Sequence, residues 1–195
     1  MTTINEQVWV IAAVVILLIA AAGWFFYRKR QTHRLQKRFG PEYGRTMGEL
    51  GSRAKTESEL SAREKRVERL KILPLAPAEA ARLSQAWKVL QGRFVDNPQG
   101  VVVEADNLVR ELMLKRGYPM ADFEGRAADI SVHHPMVVEN YRAAQAIALL
   151  DARGQATTED LRRAVVHYRA LFDDLLEVRA PAQTVTPTRE MELRS

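Results

Sequence analysis

Twenty consecutive residues, Val8–Tyr27 (VWVIAAVVILLIAAAGWFFY), carry no charged side chain. A helix rises about 1.5 Å per residue, so such a run reaches roughly 30 Å, the thickness of a bilayer's hydrocarbon core. A buried core helix seldom runs this long without one polar face, and this run has none. Trp9 stands near one end and Trp24 and Tyr27 near the other, where amphipathic aromatics meet the membrane interfaces. The small residues Ala20-Ala21-Ala22 would suit signal-peptide cleavage. However, the preceding MTTINEQ has no Lys or Arg, and the apolar run continues through Trp24-Phe25-Phe26. The sequence therefore predicts a single-pass transmembrane helix over 8–27, preceded by a short tail, 1–7.

Orientation follows from the flanks. Arg28, Lys29, Arg30, Arg34, Lys37 and Arg38 come directly after the run, with no acidic residue until Glu42, and no basic residue precedes it. The positive-inside rule puts the tail outside and everything after the run in the cytoplasm, at a cell or inner membrane. The same six residues are the expected membrane-surface set, since anionic lipids attract each nearby Lys or Arg by about 1 kcal/mol. The net charge of +5 is unevenly spread. Residues 28–71 hold 14 Lys/Arg against 6 Asp/Glu, whereas 72–195 hold 15 against 17. A nucleic-acid binder would place its positive field on the folded module, so this distribution argues against that class. The absence of cysteine excludes a disulfide scaffold and a thiolate metal site.

Beyond the run, Arg28–Phe39 reads as a continuation of the helix, interrupted at Gly40-Pro41. Residues 42–71 are rich in Glu, Arg, Lys, Ala and Ser with sparse apolar positions. They read as a mostly solvated helical spacer, one helix or two with a break near Gly51, with a short coiled coil as the alternative, part of a basic, charged linker over 28–73, with Glu49–Arg53 and Glu59–Arg63 as i,i+4 pairs. Stronger periodicity follows. Leu83, Trp87, Leu90 and Phe94 share one face of a helix over about 78–96. Asn97-Pro98 starts a second helix, striped by Val102, Ala105, Leu108, Val109, Leu112 and Met113 and ended by Gly117. Asp122 caps a short helix with Phe123, Ala127 and Ile130. His134-Pro135 repeats the cap-then-proline device ahead of Val138, Tyr141, Gln145, Ala148 and Leu149, up to Gly154. Thr157-Thr158-Glu159-Asp160 resembles a capping box, followed by Leu161, Val165, Tyr168, Phe172 and Leu175. The expectation is an all-α protein, in which a soluble bundle of four main helices plus one short helix occupies 74–178 and a disordered tail occupies 179–195.

The segments RFGPEYGRT, RFVDNPQGVVVEADNLV, RGYPMADFEGRAADISVHHP and HYRALFDDLL resemble those of a family of uncharacterised bacterial proteins with an N-terminal hydrophobic helix. The resemblance covers about residues 38–176. It implies a bacterial source and no known activity, and it supplies no catalytic or ligand residue.

The residues offer little chemistry. His133 and His134 are adjacent and diverge, and His33 lies beside the apolar run. A zinc site needs three or four converging ligands, and only His167 with one of that pair and a carboxylate could supply them. The acid pairs Glu104/Asp106 and Asp173/Asp174 diverge along a helix. There is no Gly-rich phosphate loop, nucleophile elbow or HExxH. No cofactor, metal or catalytic residue is expected. The sequence points to a membrane-tethered cytoplasmic interaction module for an unidentified protein partner. A small-ligand-binding or enzymatic domain with a pocket near His167 is one alternative, and a membrane-tethered nucleic-acid binder is another. Tyr118, Met120 and Phe123, apolar residues in a turn-rich segment, are the candidate partner surface.

Overall fold

The apolar run and the basic segment after it form one uninterrupted helix. In the computed structural model, which describes residues 2–176, α1 spans Thr2–Phe39. Before Val14 only the side chains of Trp9 and Ala12 are described. Among the described residues no helix is long and apolar enough to cross a membrane. The described side chains of the uncharged run are continuous only from Val14 to Tyr27, short of the twenty residues the sequence supplies. The expected disordered tail, 179–195, lies outside the described residues.

Among the described residues seven further helices follow: α2 Pro41–Leu50, α3 Arg53–Glu68, α4 Pro77–Gly92, α5 Pro98–Arg116, α6 Phe123–His133, α7 Val138–Asp151 and α8 Thr158–Leu176. The described residues contain no strand, so the fold class is all-α. Local chemistry sets most boundaries. Pro41, Pro77 and Pro98 stand in first turns, where a missing N–H costs nothing. The Asn97 side chain accepts from the Gly100 amide at 3.0 Å, and Asp122 accepts from the Gly125 amide at 2.8 Å. Gly51 and Gly117 take left-handed φ values of 61° and 91° to end α2 and α5. Thr157 and Asp160 form the reciprocal box at the start of α8: the Thr157 amide donates to Asp160 Oδ2 at 2.9 Å and the Asp160 amide to Thr157 Oγ1 at 3.2 Å.

Two boundaries differ from expectation. The helix through Trp87 stops at Gly92, and Arg93–Asp96 turn, leaving Phe94 half-buried rather than on the core stripe. His134-Pro135 does not open a helix. His134 ends α6, its amide donating to Ile130 O at 2.8 Å, and three turn residues separate it from α7.

The chain divides into two units, Met1–Lys71 with Ala121–Ala143 and Ile72–Met120 with Ala144–Ser195, so the boundary falls inside α7. The expected division into a 28–73 linker and a 74–178 bundle differs from this. In the second unit α5 packs against α4 and α8. Leu83, Trp87, Leu112, Met113, Tyr168, Leu171 and Phe172 are buried, with the Trp87 and Phe172 rings stacked 4.6 Å apart. Arg116 Nη1 donates to the Leu175 carbonyl at 2.7 Å, occupying one of the acceptors that the last turn of α8 leaves open.

The first unit is where the sequence reading fails most. Residues 42–71 are not a solvated spacer: α2 and α3 pack on each other and on α1, and α3 packs on α6. Their core is Leu35, Phe39, Tyr43, Leu60, Val67 and Val132, with Met47 and Leu70 against it. α6 therefore belongs with the segment beside the apolar run and not with α4, α5 and α8. The expected Glu49–Arg53 pair is absent because Gly51 separates the two helices. Glu49 pairs instead with Arg45 at 2.8 Å, and Glu59–Arg63 forms as expected at 2.9 Å.

Candidate functional site

The six basic residues after the apolar run divide into two groups. Arg28, Lys29, Arg30 and Lys37 are exposed on α1. Arg34 and Arg38 reach across to α3, where Glu64, itself 4% exposed, lies 2.7 Å from Arg34 Nη2 and 3.1 Å from Arg38 Nε. These two arginines brace α1 against α3, so their charge is partly committed inside the protein. Arg28 also lies 4.6 Å over the Trp24 ring, a cation–π contact where the uncharged run ends.

Behind this face lies a group of buried charges that the sequence reading missed. Glu42, 1% exposed, accepts through Oε1 from Arg63 Nη1 and from Arg142 Nη2, each at 3.0 Å. Each arginine also has an outer carboxylate, Glu59 for Arg63 and Glu124 for Arg142. Burial of Arg142 opposes its charge, but the hydrogen bond it donates to Glu124 and the attraction of Glu42 and Glu124 outweigh it, raising its pKa. Buried Asp129 of α6 accepts from Arg66 Nε and Nη2 at 2.8 and 2.7 Å. Arg126 donates to the Tyr141 hydroxyl at 3.0 Å and to the Ala121 carbonyl at 2.6 Å. These pairs join α2, α3, α6 and the start of α7. Breaking one partner of such a pair is costly, whereas the intact pair contributes geometry more than net stability.

The candidate partner surface loses one of its three members. Tyr118 is 1% exposed, so it is a core residue of the second unit and presents no surface. Its position after the left-handed Gly117, with its amide bonded to Met113 O at 3.0 Å, turns the side chain inward. Met120 is exposed at the end of the same unit. Phe123 belongs to the first unit, half-buried with its ring 4.7 Å from Tyr141. The three thus fall in different units and environments.

Among the described residues no group of three or more His, Asp or Glu side chains is placed to hold a metal. His167 is half-buried, and desolvation together with the Arg163 charge lowers its pKa. Comparison of the chain with family models, with curated proteins and with solved structures finds no match.

Proposed function

We propose that this chain is a membrane-tethered, non-catalytic helical interaction module, anchored through Val8–Tyr27 with both helical units in the cytoplasm and engaging a protein partner. The observation that carries this is the change of environment along α1. Trp24, Phe25, Phe26 and Tyr27 are each 60–69% exposed. Successive residues point about 100° apart, so these four open the whole circumference of the helix. Ile16–Ile19 are likewise 64–69% exposed. Water disfavours so large an apolar surface, and a bilayer accepts it. A few residues later Leu35 and Phe39 are fully buried in the core of the first unit. The anchor is thus itself a core element of that unit, which holds the unit at the membrane and raises its effective concentration for membrane partners.

The test is topological. With the full chain fused at its C-terminus to a reporter active only outside the cytoplasm, the reporter should stay silent, and the protein should resist alkaline carbonate extraction from membranes. Reporter activity would reverse the orientation, and extraction would remove the anchor. Crosslinking in cells followed by mass spectrometry should then recover membrane-associated proteins.

A further inference from the structure

Where α1 leaves the uncharged run, the first turn of α3 lies beside it and the two enclose a groove of about 590 Å³. That volume falls in the usual range for small-molecule sites, roughly 300–1,000 Å³. Trp24, Phe25, Arg28, Lys29 and His33 of α1 line one wall, and Arg53 stands on the other. The apolar members are at the end nearest the uncharged run, and the basic ones follow within two turns. Arg53 is 67% exposed at its side chain and is separated in sequence from the basic segment. Only the fold brings it here.

Among the described residues lining the groove the one carboxylate, Glu57, is already engaged. Its Oε1 accepts from the Thr32 hydroxyl at 2.6 Å and from the Tyr43 hydroxyl at 3.4 Å and lies 3.9 Å from Nε of Arg53, one turn earlier on α3, and its side chain is 14% exposed. Against it stand Arg28, Lys29 and Arg53, leaving the lining with an excess of two positive charges. Ser52, which precedes α3, makes no side-chain cap hydrogen bond, so the first amides of α3 add donors at the same end. Planar guanidinium groups and helix-start amides match the oxygens of a phosphodiester, and the exposed rings of Trp24 and Phe25 match the glycerol and upper acyl chain of a lipid.

We propose that this groove binds the headgroup phosphate of one anionic phospholipid, with its acyl chains lying along the exposed apolar face of α1. The proposal rests on the membrane placement of α1 argued above. It differs from a diffuse attraction of basic residues to a charged surface, because it assigns a role to Arg53 that its neighbour Lys55 lacks. Lys55 is exposed two residues further along α3 and does not line the groove.

The full-length protein, purified in neutral detergent micelles, is titrated with phosphatidylglycerol or phosphatidylcholine, and the first bound lipid is counted by native mass spectrometry. Phosphatidylglycerol should bind at least tenfold more tightly. Arg53→Gln should weaken it about tenfold or more and Lys55→Gln by less than about twofold. Gln36→Trp, which fills the groove without changing charge, should cause a loss like that of Arg53→Gln while the circular dichroism melt is unchanged. Equal losses from Arg53→Gln and Lys55→Gln, or no effect of Gln36→Trp, would overturn the site in favour of diffuse attraction. Displacement of the lipid by equimolar inorganic phosphate would overturn the lipid as occupant. Carbonate extraction is run in parallel. A chain that stays in the membrane but shows no selectivity refutes the groove alone, and a chain that is extracted refutes the anchor first.

Discussion

Replacing Glu42 by alanine should loosen the first unit by about 3–4 kcal/mol. The carboxylate is 1% exposed and accepts two charge-assisted hydrogen bonds at 3.0 Å, from arginines whose side chains are only 9% and 10% exposed. Each such bond contributes about 1.5–3 kcal/mol net, so two amount to roughly 3–6 kcal/mol. The outer carboxylates Glu59 and Glu124 remain to hold Arg63 and Arg142, which brings the loss toward the lower end of that range. Hydrogen exchange followed by mass spectrometry on the full chain in micelles reads the effect locally. Amides in peptides from 41–71 and 123–133 should exchange about 150- to 1,000-fold faster, at about 1.4 kcal/mol per decade. Glu42→Gln keeps an acceptor while losing the charge and should give about half the free-energy loss. An acceleration below about fivefold in Glu42→Ala would refute the reasoning, because it would mean that the arginines find water or other acceptors at no cost.

Trp87→Ala should cost about 3–5 kcal/mol in denaturant unfolding, since the ring is fully buried and stacked on Phe172; a change near zero would remove it from the core. Tyr118→Ala should destabilise the second unit by about 3 kcal/mol without selectively losing crosslinked partners, and the opposite pattern would restore Tyr118 as a surface residue. The Asp160 carboxyl is held at about 2, below its usual 3.8, by hydrogen bonds from the Thr157 hydroxyl and amide and from Arg163. A depressed pKa gives stability that is fully present above about 3.8 and is lost as pH falls through about 2. The Thr157 amide resonance should therefore titrate near pH 2, and a midpoint near 4 would show that the box does not form.

The helix limits that follow from contacts within a few residues were legible. Asn97-Pro98 and Gly117 bracket α5 as expected, and Asp122 and Thr157 start α6 and α8, because a cap is satisfied by amides two or three positions away. The pattern overran at Phe94, whose spacing fits the stripe through Trp87 although Arg93–Asp96 turn. The first unit is not legible in the sequence, because dense charge ordinarily signals solvation. Leu35, Phe39 and Tyr43 repeat every four residues across Gly40-Pro41, and Leu60 and Val67 flank Arg63 and Glu64, so an apolar seam was present but interleaved with charges. Those charges are buried because their partners come from elsewhere. Arg66 meets Asp129 and Glu42 meets Arg142 across long stretches of chain, and no local spacing encodes such meetings. The groove was hidden for the same reason, since Arg53 reaches it only through the packing of α3 on α1.

The unbroken course of α1 from the uncharged run to Phe39 has a mechanical consequence. With no glycine or proline between Tyr27 and Phe39, and with Leu35 and Phe39 clamped between α2, α3 and α6, the segment has no swivel. Twelve residues of helix make an arm of about 18 Å. In the proposed membrane setting, a change of about 20° in the tilt of the anchor would sweep the far end of that arm sideways by roughly 6 Å. A rotation about the helix axis would turn α2, α3 and α6 by the same angle. A partner held on the first unit would therefore sense bilayer thickness or the grip of a neighbouring span through a stiff crank, with the Arg34 and Arg38 braces on Glu64 acting as its key.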